Sequence, residues 1–137
     1  MSSRTRARRR AMEILFESEQ RDLPEADLLR LRSDDPDYPM KPYAREIVDG
    51  VVTHRDDLDD LIAEHAQGWQ LDRMPAVDRA LLRIGAWEIV HNDEVPGKVA
   101  IAEAVELAGD FSTDDSAKFI GGVLGTIREQ HEAAEAS

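Results

Sequence analysis

The chain has 137 residues, 42% apolar and 34% charged, which bounds it to one domain or two small helical lobes sharing a core. It contains no cysteine, which excludes a disulfide framework, a thiol nucleophile and a thiolate metal site. A net charge of −12 argues against a nucleic-acid surface spread over the whole molecule, because an acidic body repels phosphates.

That charge is unevenly placed. Residues 1–10 carry five arginines (Arg4, Arg6, Arg8, Arg9 and Arg10) and no acid, whereas the other 12 basic residues face all 29 acids, a balance of −17. One end is therefore a concentrated cationic site on an acidic body, which favours a local anionic contact. The longest uncharged stretch, Phe119 to Ile127, is too short to span a bilayer, so no membrane segment is expected. Glu13 and Glu17 interrupt the apolar residues after the arginines, which is unlike a signal peptide. With no cysteine, this suits a cytoplasmic protein.

Helical periodicity runs through most of the chain and strand patterning is nearly absent. A first helix is expected from about Arg4 to Gln20, with Ala11, Ile14, Leu15 and Ser18 on its packing side. Pro24 suits the first turn of a second helix through Leu28, Leu29 and Leu31. Ser33 to Pro42 holds three prolines and an Asp-Asp-Pro-Asp run and reads as a loop. Tyr43 to Gln67 places Ile47, Val51, Leu58, Ile62 and His65 on one face, as one long helix or two in succession. Gly68 and Pro75 mark a break. Val77 to His91 is apolar nearly all round, the pattern of a central helix buried on several sides, with Trp69 and Trp87 expected as core anchors.

Lys98 to Phe111 reads as an amphipathic helix, with Glu103, Glu106 and Asp110 on the face opposite Ile101, Ala104, Leu107 and Ala108. Ser112 or Thr113 can cap a last helix whose buried stripe is Phe119, Ile120, Val123, Leu124 and Ile127. The tail from Glu132 onward has little to pack and is expected to fray. The sum is an all-α fold, a compact bundle of about seven helices. Its expected lobes are residues 1–68, with the arginine-rich helix, and residues 69–132.

Enzyme signals are poor. His54, His65, His91 and His131 are scattered without metal-ligand spacing, and Gly121, Gly122 and Gly125 lie inside a helical stripe and not after a strand. No metal, cofactor or catalytic residue is expected. The arginine cluster carries the clearest chemistry, since guanidinium groups fork onto phosphates and stack on unpaired bases. Helical spacing puts Arg6, Arg9 and Arg10 on one side and Arg4 and Arg8 on another. A solvated helix end is the alternative. Phe16 and Phe119 are candidate platforms for single-stranded RNA, although periodicity alone favours burial of Phe119. Lys118 is placed to meet a phosphate or to stand free. Asp114 and Asp115 favour the positive end of the last helix and could form an acidic rim. Asp78, Arg79 and Arg83 read most simply as a solvated stripe on an apolar helix.

Three stretches together resemble the NusB family. They are Arg8-Arg9-Arg10-Ala11-Met12-Glu13-Ile14-Leu15-Phe16, Ala76-Val77-Asp78-Arg79-Ala80-Leu81-Leu82-Arg83-Ile84-Gly85-Ala86-Trp87-Glu88-Ile89, and Val95-Pro96 through Val99-Ala100-Ile101 and Glu103 to Ala108 as far as Phe119-Ile120-Gly121-Gly122-Val123-Leu124. Their order and spacing match over nearly the whole chain. The resemblance implies a transcription antitermination factor that binds boxA-type single-stranded RNA of ribosomal-RNA leader transcripts. It does so with the ribosomal protein NusE and joins the RNA polymerase elongation complex. It also implies RNA contacts by Arg4, Arg6, Arg8, Arg9, Arg10, Phe16, Lys118 and Phe119, and partner contacts around Asp78, Arg79, Arg83 and Asp115. Where the family usually has Asn, Lys and Asn, this chain has Ala102, Gly109 and Gly121. A protein-only helical adaptor, or a homodimer joined through the arginine patch, is the competing reading.

Overall fold

The structure is a computed structural model that describes residues 2–137. Its described residues form seven α-helices and one short 3-10 turn, with no strand. Helix α1 (Ser3–Arg21) starts where the Ser2 hydroxyl accepts from the Thr5 backbone N–H. It stops at Asp22, whose φ of 52° lies in the left-handed region that short polar side chains tolerate. Its buried stripe contains Ala7, Arg8, Ala11, Ile14, Leu15 and Ser18. Helix α2 (Glu25–Ser33) follows Pro24 and buries Leu28 and Leu29, while Leu31 is left exposed.

The segment after the proline-rich loop is two helices. Helix α3 (Pro42–Thr53) and helix α4 (Arg55–His65) meet at His54, whose φ of −108° and ψ of 17° break the helical path. Gln67 and Gly68 then turn the chain with positive φ, and a 3-10 turn at Leu71–Arg73 leads into helix α5 (Ala76–His91). As its all-round apolar pattern requires, α5 is central: it packs on α1, α3, α4, α6 and α7. Gly50 of α3 lies against the Trp87 indole with no room for a Cβ, so the two helices meet at close range. Helices α6 (Gly97–Phe111) and α7 (Asp114–Ala136) form the broadest helix pair, turned at Thr113, whose hydroxyl accepts from the Ser116 N–H at 2.9 Å. One contiguous hydrophobic cluster runs from Ala11 through Trp87 to Ile127.

Three sequence expectations need correcting. Trp69 is not a core anchor: it lies in the irregular segment before the 3-10 turn and is 61% exposed. The tail does not fray after Glu132, since α7 continues to Ala136. The Arg128–Glu132 and His131–Glu135 pairs, at 2.8 and 3.1 Å and four residues apart, support the exposed turns. Glu103 does not face away from the core: it is half-buried and turned toward α1.

Candidate nucleic-acid interface

Helix α1 sends its arginines in two directions. Arg6, Arg9 and Arg10 line a groove of about 250 Å³ whose other wall is Pro39 and Lys41, at the end of the loop between α2 and α3. The groove has four cationic side chains in its lining and no acid. Arg6 is exposed and has no ion-pair partner among the described residues. Arg9 and Arg10 share Glu13, at 3.6 and 3.4 Å. Their guanidinium groups sit over aromatic rings, Arg9 at 4.9 Å from Phe111 and Arg10 at 4.4 Å from Tyr38. Arg4 stands apart, over the Tyr43 ring at 4.9 Å and 3.4 Å from Glu94. Lys41 escaped the sequence reading because a loop residue has no periodicity to mark its neighbours.

Arg8 does not join this surface. The sequence grouped it with the RNA-facing arginines, but its side chain is 2% exposed. Its Nε donates to both carboxylate oxygens of Glu88, at 2.9 and 3.0 Å, and one terminal nitrogen donates to Glu103 at 3.2 Å. The Tyr43 hydroxyl donates to Glu88, Asn92 donates to the Tyr43 oxygen at 3.0 Å, and the Thr5 hydroxyl donates to Glu103 at 2.7 Å. Burial opposes the Arg8 charge, yet the Glu88 bond and the charges of Glu88 and Glu103 outweigh it and raise its pKa above the usual arginine value. Burial, then the bond to Glu88, pushes the Tyr43 phenol far above its ordinary range, so it remains a donor near neutral pH.

A second cluster lies around the start of α7. The half-buried Phe119 ring meets Trp69 at 5.9 Å between centroids, tilted by 56°. Two clefts flank the pair. One, of about 270 Å³, is lined by Met74, Pro75, Asp78, Asp115 and Ser116 with the two rings. The other, of about 380 Å³, includes Lys118 and Gly122 beside the same rings. This arrangement exposes a face of aromatic carbon beside one cation, the composition that stacks unpaired bases. Trp69 was the residue missed here. Phe16 is exposed on α1 seven residues after Arg9, hence on the same helix face, but it pairs with no aromatic ring among the described residues.

Asp78, Arg79 and Arg83 are not a solvated stripe. Asp78 is 4% exposed and accepts from the Ser116 hydroxyl at 2.7 Å, with its other oxygen buried and unpartnered. Arg79 pairs with Glu19 of α1, and Arg83 with Asp59 of α4 at 2.8 Å. These residues tie α5 to its neighbours, and Asp115 is the member of the set that faces solvent at the cleft mouth. Ala102 and Gly109 are exposed on α6, whereas a side chain at Gly121 would start 3.1 Å from Val105. Among the described residues no helix is long and apolar enough to cross a membrane.

The NusB family model matches residues 5–129. The transcription antitermination protein NusB of Arthrobacter sp. (strain FB24) is 50% identical over 129 residues, covering 94% of this chain and 95% of that protein. NusB of T. maritima superposes with a TM-score of 0.84 at 32% identity, covering 95% of this chain and 93% of the other. A chain in a solved complex of antitermination factors NusB and NusE with double-stranded RNA matches with a TM-score of 0.81 at 25% identity, over 94% of this chain and 99% of that one. A groove lined by four cations and no acid, an aromatic cleft and this likeness across nearly the full length agree: the chain belongs to the NusB family, a family of transcription antitermination factors and not of enzymes.

Proposed function

We propose that this chain is a transcription antitermination factor that binds boxA-type single-stranded RNA of ribosomal-RNA leader transcripts together with the NusE ribosomal protein. The observation that carries the reading is the groove of Arg6, Arg9, Arg10 and Lys41, free of acids on a chain of net charge −12. Four cations gathered on an acidic body, two of them sharing a single acid, Glu13, give a phosphate strand one place to settle. From there the strand runs past Arg4, Phe16 and the Arg9–Phe111 stack to Lys118 and the Phe119–Trp69 cleft, where bases stack. The N-terminal lobe, residues 1–68, supplies most of the charge, and the C-terminal lobe, residues 69–132, supplies the stacking rings.

The NusE-type partner docks near Asp115 at the start of α7, beside the end of α5 that carries Asp78, Arg79 and Arg83. The assembly then acts on the RNA polymerase elongation complex in the cytoplasm. The test is binding of a boxA-like RNA with and without the ribosomal protein. The informative variant is Arg6→Glu/Arg9→Glu/Arg10→Glu, which leaves the buried Arg8 intact. Loss of RNA binding by a folded variant supports the reading, and unchanged affinity and salt dependence sink it.

A second reading has the same groove hold the acidic surface of another copy of the chain. The exposed Phe16 and Phe111 rings beside it favour this reading. Sedimentation across a concentration series separates the two, because a dimer through this groove dissociates as RNA is added.

A further inference from the structure

The cationic groove has one wall on a helix and the other on the loop that enters α3. Arg6, Arg9 and Arg10 come from α1, and Lys41 stands just before Pro42, the first residue of α3. The four cations repel one another, and at the groove the Arg10 guanidinium over the Tyr38 ring, at 4.4 Å, ties α1 to the loop. A second, buried bridge between α1 and α3 is the carboxylate of Glu88 on α5, which is 1% exposed. One oxygen of Glu88 accepts from Arg8 at 2.9 Å. The other accepts from Arg8 at 3.0 Å and from the Tyr43 hydroxyl. Arg8 lies one residue before Arg9, and Tyr43 lies two residues after Lys41. A single carboxylate therefore joins α1, one residue from Arg9, to α3, two residues from Lys41. The grip is reinforced on the α1 side by Glu103, which takes bonds from Arg8 and Thr5, and on the α3 side by Asn92 bonding the Tyr43 oxygen. The Tyr43 ring also carries the Arg4 guanidinium at 4.9 Å.

We infer that Glu88 is a positioning residue for RNA binding, which acts through Arg8 and Tyr43 to fix the spacing of the two cationic walls without touching RNA. This rests on the groove being the phosphate site. Four like charges held at one spacing bind a backbone strand with little further loss of freedom on either side, and the same charges on loosened walls must be ordered during binding. Charge-assisted bonds in a dry site suit this role, because they are directional and strong enough to outlast the repulsion in front of them.

The variant of choice is Tyr43→Phe, which removes one hydroxyl and keeps the ring under Arg4; Glu88→Gln is the second. Because the chain has no cysteine, Ser3→Cys and Asp37→Cys, both at exposed positions, accept a single pair of spin labels across the groove. The expected result is a broadened distance distribution in both variants. It comes with a loss of boxA-like RNA affinity of roughly three- to ten-fold at an unchanged salt slope, as all four cations remain. Lys41→Gln should do the reverse, lowering the salt slope and leaving the distances alone. Ile127→Val, a truncation in the core of α7, should destabilise the fold without changing either readout. An unaltered distance distribution in Tyr43→Phe and Glu88→Gln overturns the inference, as does RNA affinity equal to wild type. If the wild-type chain binds no RNA, the RNA reading fails, and the label distances still decide whether Glu88 sets the groove.

Discussion

Replacing Arg8 with methionine distinguishes a buried structural cation from a surface ligand-binding one. The side chains of Arg8 and Glu88 are 3% and 1% exposed, so the change leaves the Glu88 carboxylate in a dry site with only the Tyr43 hydroxyl as donor. Removing one member of such a pair costs about 3–5 kcal/mol, because the remaining charge has lost its counter-ion but not its desolvation penalty. For a domain of this size that corresponds to a fall in Tm of roughly 10–20 °C. The comparison is Arg9→Met, whose pair with Glu13 is 48% and 34% exposed on its two sides and is worth at most about 1 kcal/mol. The double variant Arg8→Met/Glu88→Leu removes both charges and should return to within about 1–2 kcal/mol of wild type, because an apolar pair can replace an ionic one. Urea denaturation at pH 7, followed by far-ultraviolet circular dichroism, measures all three. Equal stability of the Arg8→Met and Arg9→Met proteins would rule out a buried structural role for Arg8, and so would a double variant no better than Arg8→Met.

The four groove cations make a calculable contribution to the salt dependence of RNA binding. At about −0.7 per phosphate on a single strand, affinity should fall roughly fifty-fold between 50 and 200 mM salt, and only about seven-fold once Arg6→Gln and Lys41→Gln are combined. Filter binding or fluorescence anisotropy at several salt concentrations checks this. Trp69→Ala and Phe119→Ala should each weaken RNA binding by about 1–3 kcal/mol. Trp69→Ala should leave thermal stability nearly unchanged, because that ring is 61% exposed; calorimetry alongside the binding assay separates the effects. The His91 ring stacks on His54 at 3.8 Å, and burial, then the His54 charge, lowers its pKa despite Asp57. The unfolded chain therefore binds more protons below the ordinary histidine value of about 6.5, so stability should decline as pH falls through that value toward the depressed one. His91→Gln should flatten that decline in denaturation curves between pH 7.5 and 5.5.

The helical architecture was readable from the sequence because α1, α5, α6 and α7 each carry a complete apolar stripe. The Arg8 role was also present, in a pattern easily overlooked. Arg8 stands three, seven and ten residues before Ala11, Leu15 and Ser18, on the very stripe expected to pack inward. Glu88 sits in a helix apolar almost all round, where a carboxylate requires a buried partner. The identity of residue 8 as arginine outweighed its position. Trp69 and Lys41 could not be placed in that way, since both lie in irregular segments where no period links a residue to a face. Asp78, Arg79 and Arg83 misled for another reason. Their charges suggested water, whereas Ser116, Glu19 and Asp59 supply partners from helices distant in sequence. Among the expected RNA-facing groups, the structure gathers Arg6, Arg9 and Arg10 with Lys41, and Phe119 and Lys118 with Trp69, while Arg4 and Phe16 lie outside both clusters.

In the proposed function the exposed arginines and Lys41 hold a boxA-type RNA, more tightly when the NusE ribosomal protein is present. Its most direct test is the affinity of a boxA-like single-stranded RNA for wild type and for Arg6→Glu/Arg9→Glu/Arg10→Glu, each with and without that protein. Wild type should bind RNA more tightly with the protein, and the triple variant should lose RNA binding while still binding NusE. Wild-type protein that binds NusE but no RNA, or a triple variant that binds RNA as well as wild type, would contradict it.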